Sequence, residues 1–243
     1  MPVCVRLVLS VVVSLWVLSD SAPVALAGMI GYPAARQERL LQVRLELAGD
    51  SFRENTEAKG VTTGEHKVGT GRGLLTVVAG LTDWSEIYAR FGGGEFKIDE
   101  TSFNGSFGLA YGGGLRLRLL RFGWGVVGVT GQYLRFSSND DDAGGTEVEG
   151  LWEEFDAALG IGTRRFETFQ LYGGVAYHQS TITLSGGEGV LASDFESAIP
   201  VRGFAGVNFY PLVDFPAGQF VVNVEARFIG ETPQFSLGLQ YSF

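Results

Sequence analysis

At 243 residues, with 18 Lys+Arg against 27 Asp+Glu, the chain has a formal net charge of −9 and no basic block. This excludes the electrostatic footprint of a nucleic-acid binder. Its single cysteine, Cys4, leaves no disulfide framework and no cysteine-ligated metal, and 45% hydrophobic residues exclude a disordered chain.

The first 27 residues read as an export signal. Arg6 is the only charge before an apolar core from Leu7 to Leu18. Ser19-Asp20-Ser21 breaks that core, and Ala25-Leu26-Ala27 is a small-x-small site, so cleavage is expected before Gly28. At about 12 residues the core is too short for the ~20 that cross a bilayer as a helix. Cys4 precedes the core and cannot be a lipid anchor. All 36 glycines lie after the signal, and they are about twice the ordinary share of ~7%.

Beyond residue 27 the dominant pattern is alternation at period two, the signature of strands. Leu41, Val43, Leu45 and Leu47 alternate with Gln42, Arg44 and Glu46. Leu115, Leu117 and Leu119 alternate with Arg116 and Arg118. Phe220, Val222, Val224, Ala226 and Phe228 alternate with Val221, Asn223, Glu225 and Arg227. The pattern predicts ten strands, at 39–49, 70–81, 84–96, 102–119, 122–137, 147–163, 166–183, 195–210, 218–230 and 233–243. Short connections fall at Thr82-Asp83, Leu120-Arg121 and Arg164-Arg165. Longer polar ones fall at 50–69, 138–146 and 184–194. This is the layout of an outer-membrane barrel, with short periplasmic turns and longer outer loops. The expected fold class is all-β: an antiparallel up-and-down transmembrane barrel of about ten strands, with eight or twelve open. It would occupy residues 28–243 as one domain.

A soluble barrel also alternates, and three features favour the membrane. The polar face mixes charge with small residues, as in Gly108, Ala110, Gly112 and Gly114 followed by Arg116, which suits a narrow lumen. Aromatics gather near strand ends, the places of the two interfacial belts. Trp84, Trp124, Phe169, Tyr210, Phe220, Tyr241 and Phe243 fall at one end. Phe96, Phe103, Phe136, Trp152, Phe195, Phe228 and Phe235 fall at the other. The last strand also finishes on Phe243.

The segment Phe235-Ser-Leu237-Gly-Leu239-Gln-Tyr241-Ser-Phe243 resembles the C-terminal signature of bacterial outer-membrane β-barrel proteins. The hairpin from Gly80 to Tyr88 is also similar to those of small barrels of this kind. The resemblance implies residence in the bacterial outer membrane, contact with its lipids, and recognition of that segment by the barrel-assembly machinery. A monomer is expected, with no cofactor and no metal.

If the apolar set faces lipid, the lumen receives Arg44, Arg90, Arg116, Arg118, Arg202 and Arg227 against Glu46, Glu86, Glu154, Asp156 and Glu225. An unpaired charge in such a space costs several kcal/mol. The set therefore reads as an internal ion-pair brace, or as a lined path for small polar solutes. Ten strands lie near the closed end of barrel sizes, far from the ~16 of aqueous porins.

Two short segments are similar to elements of outer-membrane enzymes. His178-Gln-Ser180 has the His-x-Ser spacing of outer-membrane lipid A deacylases, with Glu188 in reach as an orienting carboxylate. That family's surrounding motif residues are absent, and the alternation turns His178 to the lumen rather than the bilayer. Ten-stranded outer-membrane proteases use acidic pairs with a His–Asp at the outer rim. Asp140-Asp141-Asp142 is acidic but has no paired His nearby in sequence, and it reads as a solvated loop. His66 falls in the first long loop. The role expected is non-enzymatic, structural or in surface interaction. A narrow channel is the first rival, and a lipid-modifying or proteolytic barrel the second.

Overall fold

The computed structural model describes residues 30–34, 43–58, 65–99, 103–141, 145–186, 193–198, 200–210, 219–229 and 232–242. The expected signal 1–27 with its cleavage site, Asp142, Glu188 and Phe243 lie outside the described residues.

The alternating segments form β1 (Val43–Ala58), β2 (Glu65–Thr82), β3 (Ser85–Ile98), β4 (Gly108–Phe122), β5 (Gly125–Asp141), β6 (Glu147–Thr163), β7 (Phe169–Gly186), β8 (Ser193–Ser197), β9 (Val201–Phe209), β10 (Gln219–Ile229) and β11 (Thr232–Ser242). All pairings between them are antiparallel. β11 pairs back on β1, from Arg44↔Ser242 to Asp50↔Ser236, and this closes a ten-stranded barrel of β1–β7 and β9–β11.

The eleventh strand alters the shape. The expected strand 195–210 is two strands, β8 ending at Ser197 and β9 starting at Val201, and β8 bridges β7 and β1 above the others. Thr181–Leu184 pair with β8 on one side, and Thr56–Ala58 pair with it on the other. The wall is thus ten strands around at the short-turn end and eight, β1–β8, at the outer end. Strand lengths require this: β10 and β11 have 11 residues each, whereas β2 and β7 have 18. A tilted strand of ~9–11 residues is long enough to cross a bilayer; β9–β11 have that length, and β1–β7 exceed it. The expected loops at 50–69 and 184–194 are accordingly shorter, because β1 runs to Ala58, β2 starts at Glu65 and β7 runs to Gly186.

The exterior is apolar only over the lower part. Leu47, Leu75, Phe91, Phe155, Leu159, Val175 and Tyr177 are exposed on it. Further along the same strand faces stand Ser51 and Arg53, Lys67, Lys97, Glu149 and Gln179. Tyr133 marks the boundary, its ring exposed and its hydroxyl donating to Glu153 Oε1 at 2.6 Å.

The interior inverts at the same level. Along β6, Ala158, Asp156 and Glu154 point inward, and then Trp152 and Val148. Along β7, His178 and Ser180 give way to Ile182 and Leu184. Val68, Phe96, Ile98, Phe103, Leu134, Phe136, Val148, Trp152, Ile182, Leu184 and Phe195 form one buried cluster in the outer half. Eight strands give an interior that side chains just fill, and each large apolar side chain buried there contributes ~1.5–3 kcal/mol. The lower barrel is therefore polar inside and apolar outside. The upper part is built like a water-soluble barrel.

This corrects the outer aromatic belt. Phe96, Phe103, Phe136, Trp152 and Phe195 are interior, while Phe228 and Phe235 are exposed. At the short-turn end Trp84 and Trp124 face out, but Tyr210 turns inward and donates to Gln170 Oε1 at 2.8 Å. His66 is part of β2, not a loop, and meets Phe195 edge-on at 5.3 Å. Several inward glycines are seats for aromatic rings. A side chain at Gly150 would overlap Phe96 and Phe103, and one at Gly114 would overlap Tyr88.

Candidate functional site

Beneath the apolar cluster the strands deliver charge to the lumen from every side. Among the described residues, seven carboxylates and six guanidiniums are buried there. Arg44 Nε lies 2.9 Å from Glu46 Oε1, and its NH2 lies 3.1 Å from Glu86 Oε2. Arg116 NH1 meets the same Glu46 oxygen at 3.2 Å, and its guanidinium sits over the Tyr88 ring at 4.6 Å. Arg90 flanks that ring at 5.0 Å. Tyr88 donates to Gln132 Oε1 at 3.0 Å, and Gln132 Nε2 donates to Asp156 Oδ2 at 2.7 Å.

A second set lies nearer the cap. Arg72 bridges Asp50 and Glu154 at 2.7 and 2.5 Å. Arg202 NH2 holds Glu54 Oε2 at 2.6 Å. Arg227 lies 3.6 Å from Asp156 and 3.5 Å from Glu225. Opposite charges at these separations attract by several kcal/mol at an effective dielectric near 20, which offsets the cost of taking them out of water.

His178 sits at the centre, fully buried. Its Nδ1 is 2.7 Å from Asp156 Oδ1 and its Nε2 is 3.3 Å from Glu54 Oε2. Ser180, two residues on, donates its hydroxyl to Glu54 Oε1. A Ser–His nucleophile pair needs the hydroxyl on the imidazole nitrogen. Here both groups address Glu54 instead, and neither is exposed. Glu154, Asp156 and His178 could bring one ligand atom each within 4.8 Å of the others. Arg72 on Glu154 and Arg227 beside Asp156 already supply cations there, so the donor set does not fit a metal ion.

The floor of the lumen is closed by residues 30–34. Glu225 accepts the backbone N–H of Ile30 and of Gly31, each at 2.8 Å. Gly31 has φ +77°, a left-handed conformation suited to glycine, and Arg116 lies against it. Tyr32 donates to the carbonyl of Thr163 at 3.1 Å and meets Tyr172 edge-on at 5.9 Å. Pro33 and Ala34 lie where side chains at Gly128 and Gly160 would stand.

Of the residues expected in the lumen, Arg44, Glu46, Glu86, Arg90, Arg116, Glu154, Asp156, Arg202, Glu225 and Arg227 are buried inside. Arg118 is a correction. It keeps the inward parity of Arg116 but lies near the end of β4, partly exposed, and there meets Asp83 of the β2–β3 turn at 3.5 Å. Asp50, Glu54 and Arg72 join them in the lumen beyond the expected set. Asp50 and Glu54 share parity with Arg44 and Glu46, but the expected first strand ends at residue 49 and β1 runs on to Ala58. Asp140 accepts the backbone N–H of Asn104 at 2.5 Å and pins the neighbouring hairpin. On β11, Phe235, Leu237, Leu239 and Tyr241 share the outward face, opposite the buried Gln234, Ser236 and Gln240.

No family model matches the chain, and no curated protein matches it in sequence. Solved structures do match in fold. The translocator domain of the autotransporter NalP from Neisseria meningitidis is 12% identical with a TM-score of 0.50, covering 85% of this chain and 90% of that one. The outer membrane protease OmpT from Escherichia coli is 11% identical with a TM-score of 0.46, covering 83% and 97%. The COG4313 outer membrane channel from Pseudomonas putida F1 is 12% identical with a TM-score of 0.39, covering 89% and 98%. At these identities the likeness is one of fold: the chain is a closed antiparallel β-barrel like that of the NalP translocator domain, with an apolar belt around its lower half.

Proposed function

We propose that this protein is a non-enzymatic, non-conducting barrel with a structural or surface-interaction role. Its membrane half carries a closed β-cap into the outside medium. The observation that supports this most is the filling of the lumen over its whole height. Residues 30–34 occupy the floor, the ion-paired layer the middle, and the Phe96–Phe136–Trp152 cluster the top. A solute path would need a continuous hydrated line through these layers. An enzyme would need a reachable nucleophile, and Ser180 and His178 lie sealed between the layers, bound to Glu54.

The internal charges then serve as a brace, and the outer-membrane lipids contact the belt of exposed apolar side chains. Phe235, Leu237, Leu239, Tyr241 and Phe243 would serve the barrel-assembly machinery during insertion, and one copy suffices for a closed barrel. Reconstitution in planar bilayers tests the reading. Purified protein should give no stable conductance steps. Steady current that changes with Arg116→Ala or Arg202→Ala would replace it with the channel reading. Lipid A or peptide turnover lost in His178→Ala would replace it with the enzyme.

A further inference from the structure

We propose that the short-turn, periplasmic half of the lumen is a binding groove for a short bent peptide, which the chain's own residues 30–34 occupy and can vacate. The groove recognises a backbone. Both oxygens of Glu225 are spent on two successive amide N–H groups, and Tyr172 holds the same carboxylate at 2.9 Å. The rest of the recognition is shape. Tyr32 lies where a side chain at Gly162 would stand, and Pro33 does the same at Gly160. Thr130 donates to the Pro33 carbonyl at 3.4 Å. Ile30 and Ala34 are fully buried beside Ala158, Ala176 and Phe204. The ligand class is therefore a short peptide of the form apolar–Gly–aromatic–Pro–small.

Nothing in the sheet depends on the occupant. Residues 30–34 join no strand ladder, and the barrel closes through β11 on β1 without them. Their hold is a few discrete hydrogen bonds and the packing of Ile30, Tyr32 and Ala34 on Ala158, Tyr172, Ala176 and Phe204, contacts that a peptide of the same sequence reproduces. The groove lies at the end of the lumen away from the apolar cluster, and the proposal stands whether or not the barrel conducts.

Cysteine accessibility tests it in the folded full chain with Cys4→Ser. Ala158→Cys places a thiol under the segment. It should resist a polar maleimide in the parent and react at least tenfold faster when residues 30–34 are deleted. The peptide acetyl-Ile-Gly-Tyr-Pro-Ala-amide should restore protection, a scrambled peptide should not, and Glu225→Gln should weaken the restoration. Gly128→Leu is a second route, since its side chain would enter the space of Pro33 and Ala34 rather than the wall. It should expose the thiol in the undeleted chain. Heat-modifiable migration on gels confirms that each variant is folded. The proposal is overturned if the thiol stays protected in both, if the peptide has no effect, or if neither variant folds, because the segment is then part of the core.

Discussion

Arg72→Ala is the sharpest test of the brace. Arg72 stands between Asp50 and Glu154, Nε at 2.7 Å and NH1 at 2.5 Å, with about 1% of its side chain exposed. Removing it leaves two carboxylates facing each other in a closed space. Breaking one buried pair costs about 3–5 kcal/mol. A single pair at ~4 Å is worth about 4 kcal/mol at an effective dielectric of 20, which is the same size. The second carboxylate relaxes by hydration or protonation, so the expected loss is that of one pair, not two. With ~1–3 kcal/mol per molar in urea, the unfolding midpoint should fall by roughly 1–5 M. The assay is urea unfolding in detergent micelles, followed by tryptophan fluorescence and checked by gel mobility. The triple change Arg72→Met with Asp50→Asn and Glu154→Gln removes the charges together and should recover most of the loss, since buried pairs replaced as a unit are near neutral. A single variant within about 1 kcal/mol of the parent would refute the reasoning. So would a triple variant no more stable than the single one, which would point to lost packing.

The other expectations concern where the membrane ends. Leu159→Arg puts a charge on the exposed lipid face and should cost ~2–4 kcal/mol in vesicles. Glu149→Arg, on the same face of β6 but beyond the belt, should change stability by less than ~1 kcal/mol. Equal costs at both positions would remove the extramembrane cap. Trp152→Ala empties the centre of the outer cluster, against Phe96 and Phe136 at 5.8 and 5.7 Å, and should cost about 3–5 kcal/mol. Limited proteolysis should then cut the outer hairpins of intact cells while the lower barrel stays folded. Resistance equal to the parent's would contradict a cap held by that core.

Period-two alternation sorts residues into two sets, because successive side chains leave a strand on opposite faces. That was enough to find nearly every strand and to group Arg44 with Glu46, Glu86 with Arg90, and Glu225 with Arg227. It was also enough to expect a membrane wall, since the lipid-facing set is uniformly apolar from Leu171 to Val175 and from Phe220 to Phe228. Trp152 is expected in an outer belt from its place near a strand end, yet it shares parity with Glu154 and Asp156 and is buried with them. The hydrophobic set changes face partway along the strand, and a belt was the simpler reading of an aromatic near a strand end. Strand parity, followed strictly, carries that information.

The remainder belongs to tertiary structure. Which set is inside depends on the solvent each stretch of wall meets, and one strand here crosses from lipid into water. The taper from ten strands to eight depends on β8 finding β1, residues far apart in the chain whose backbone groups need partners once β9–β11 have stopped. That His178 faces two carboxylates and not Ser180, and that residues 30–34 fill the floor against Glu225, follow from closure. Only a closed wall brings β1, β6, β7 and β10 to a common centre. The local pattern of this sequence determined the strands and their faces. The meeting of those faces decided the site.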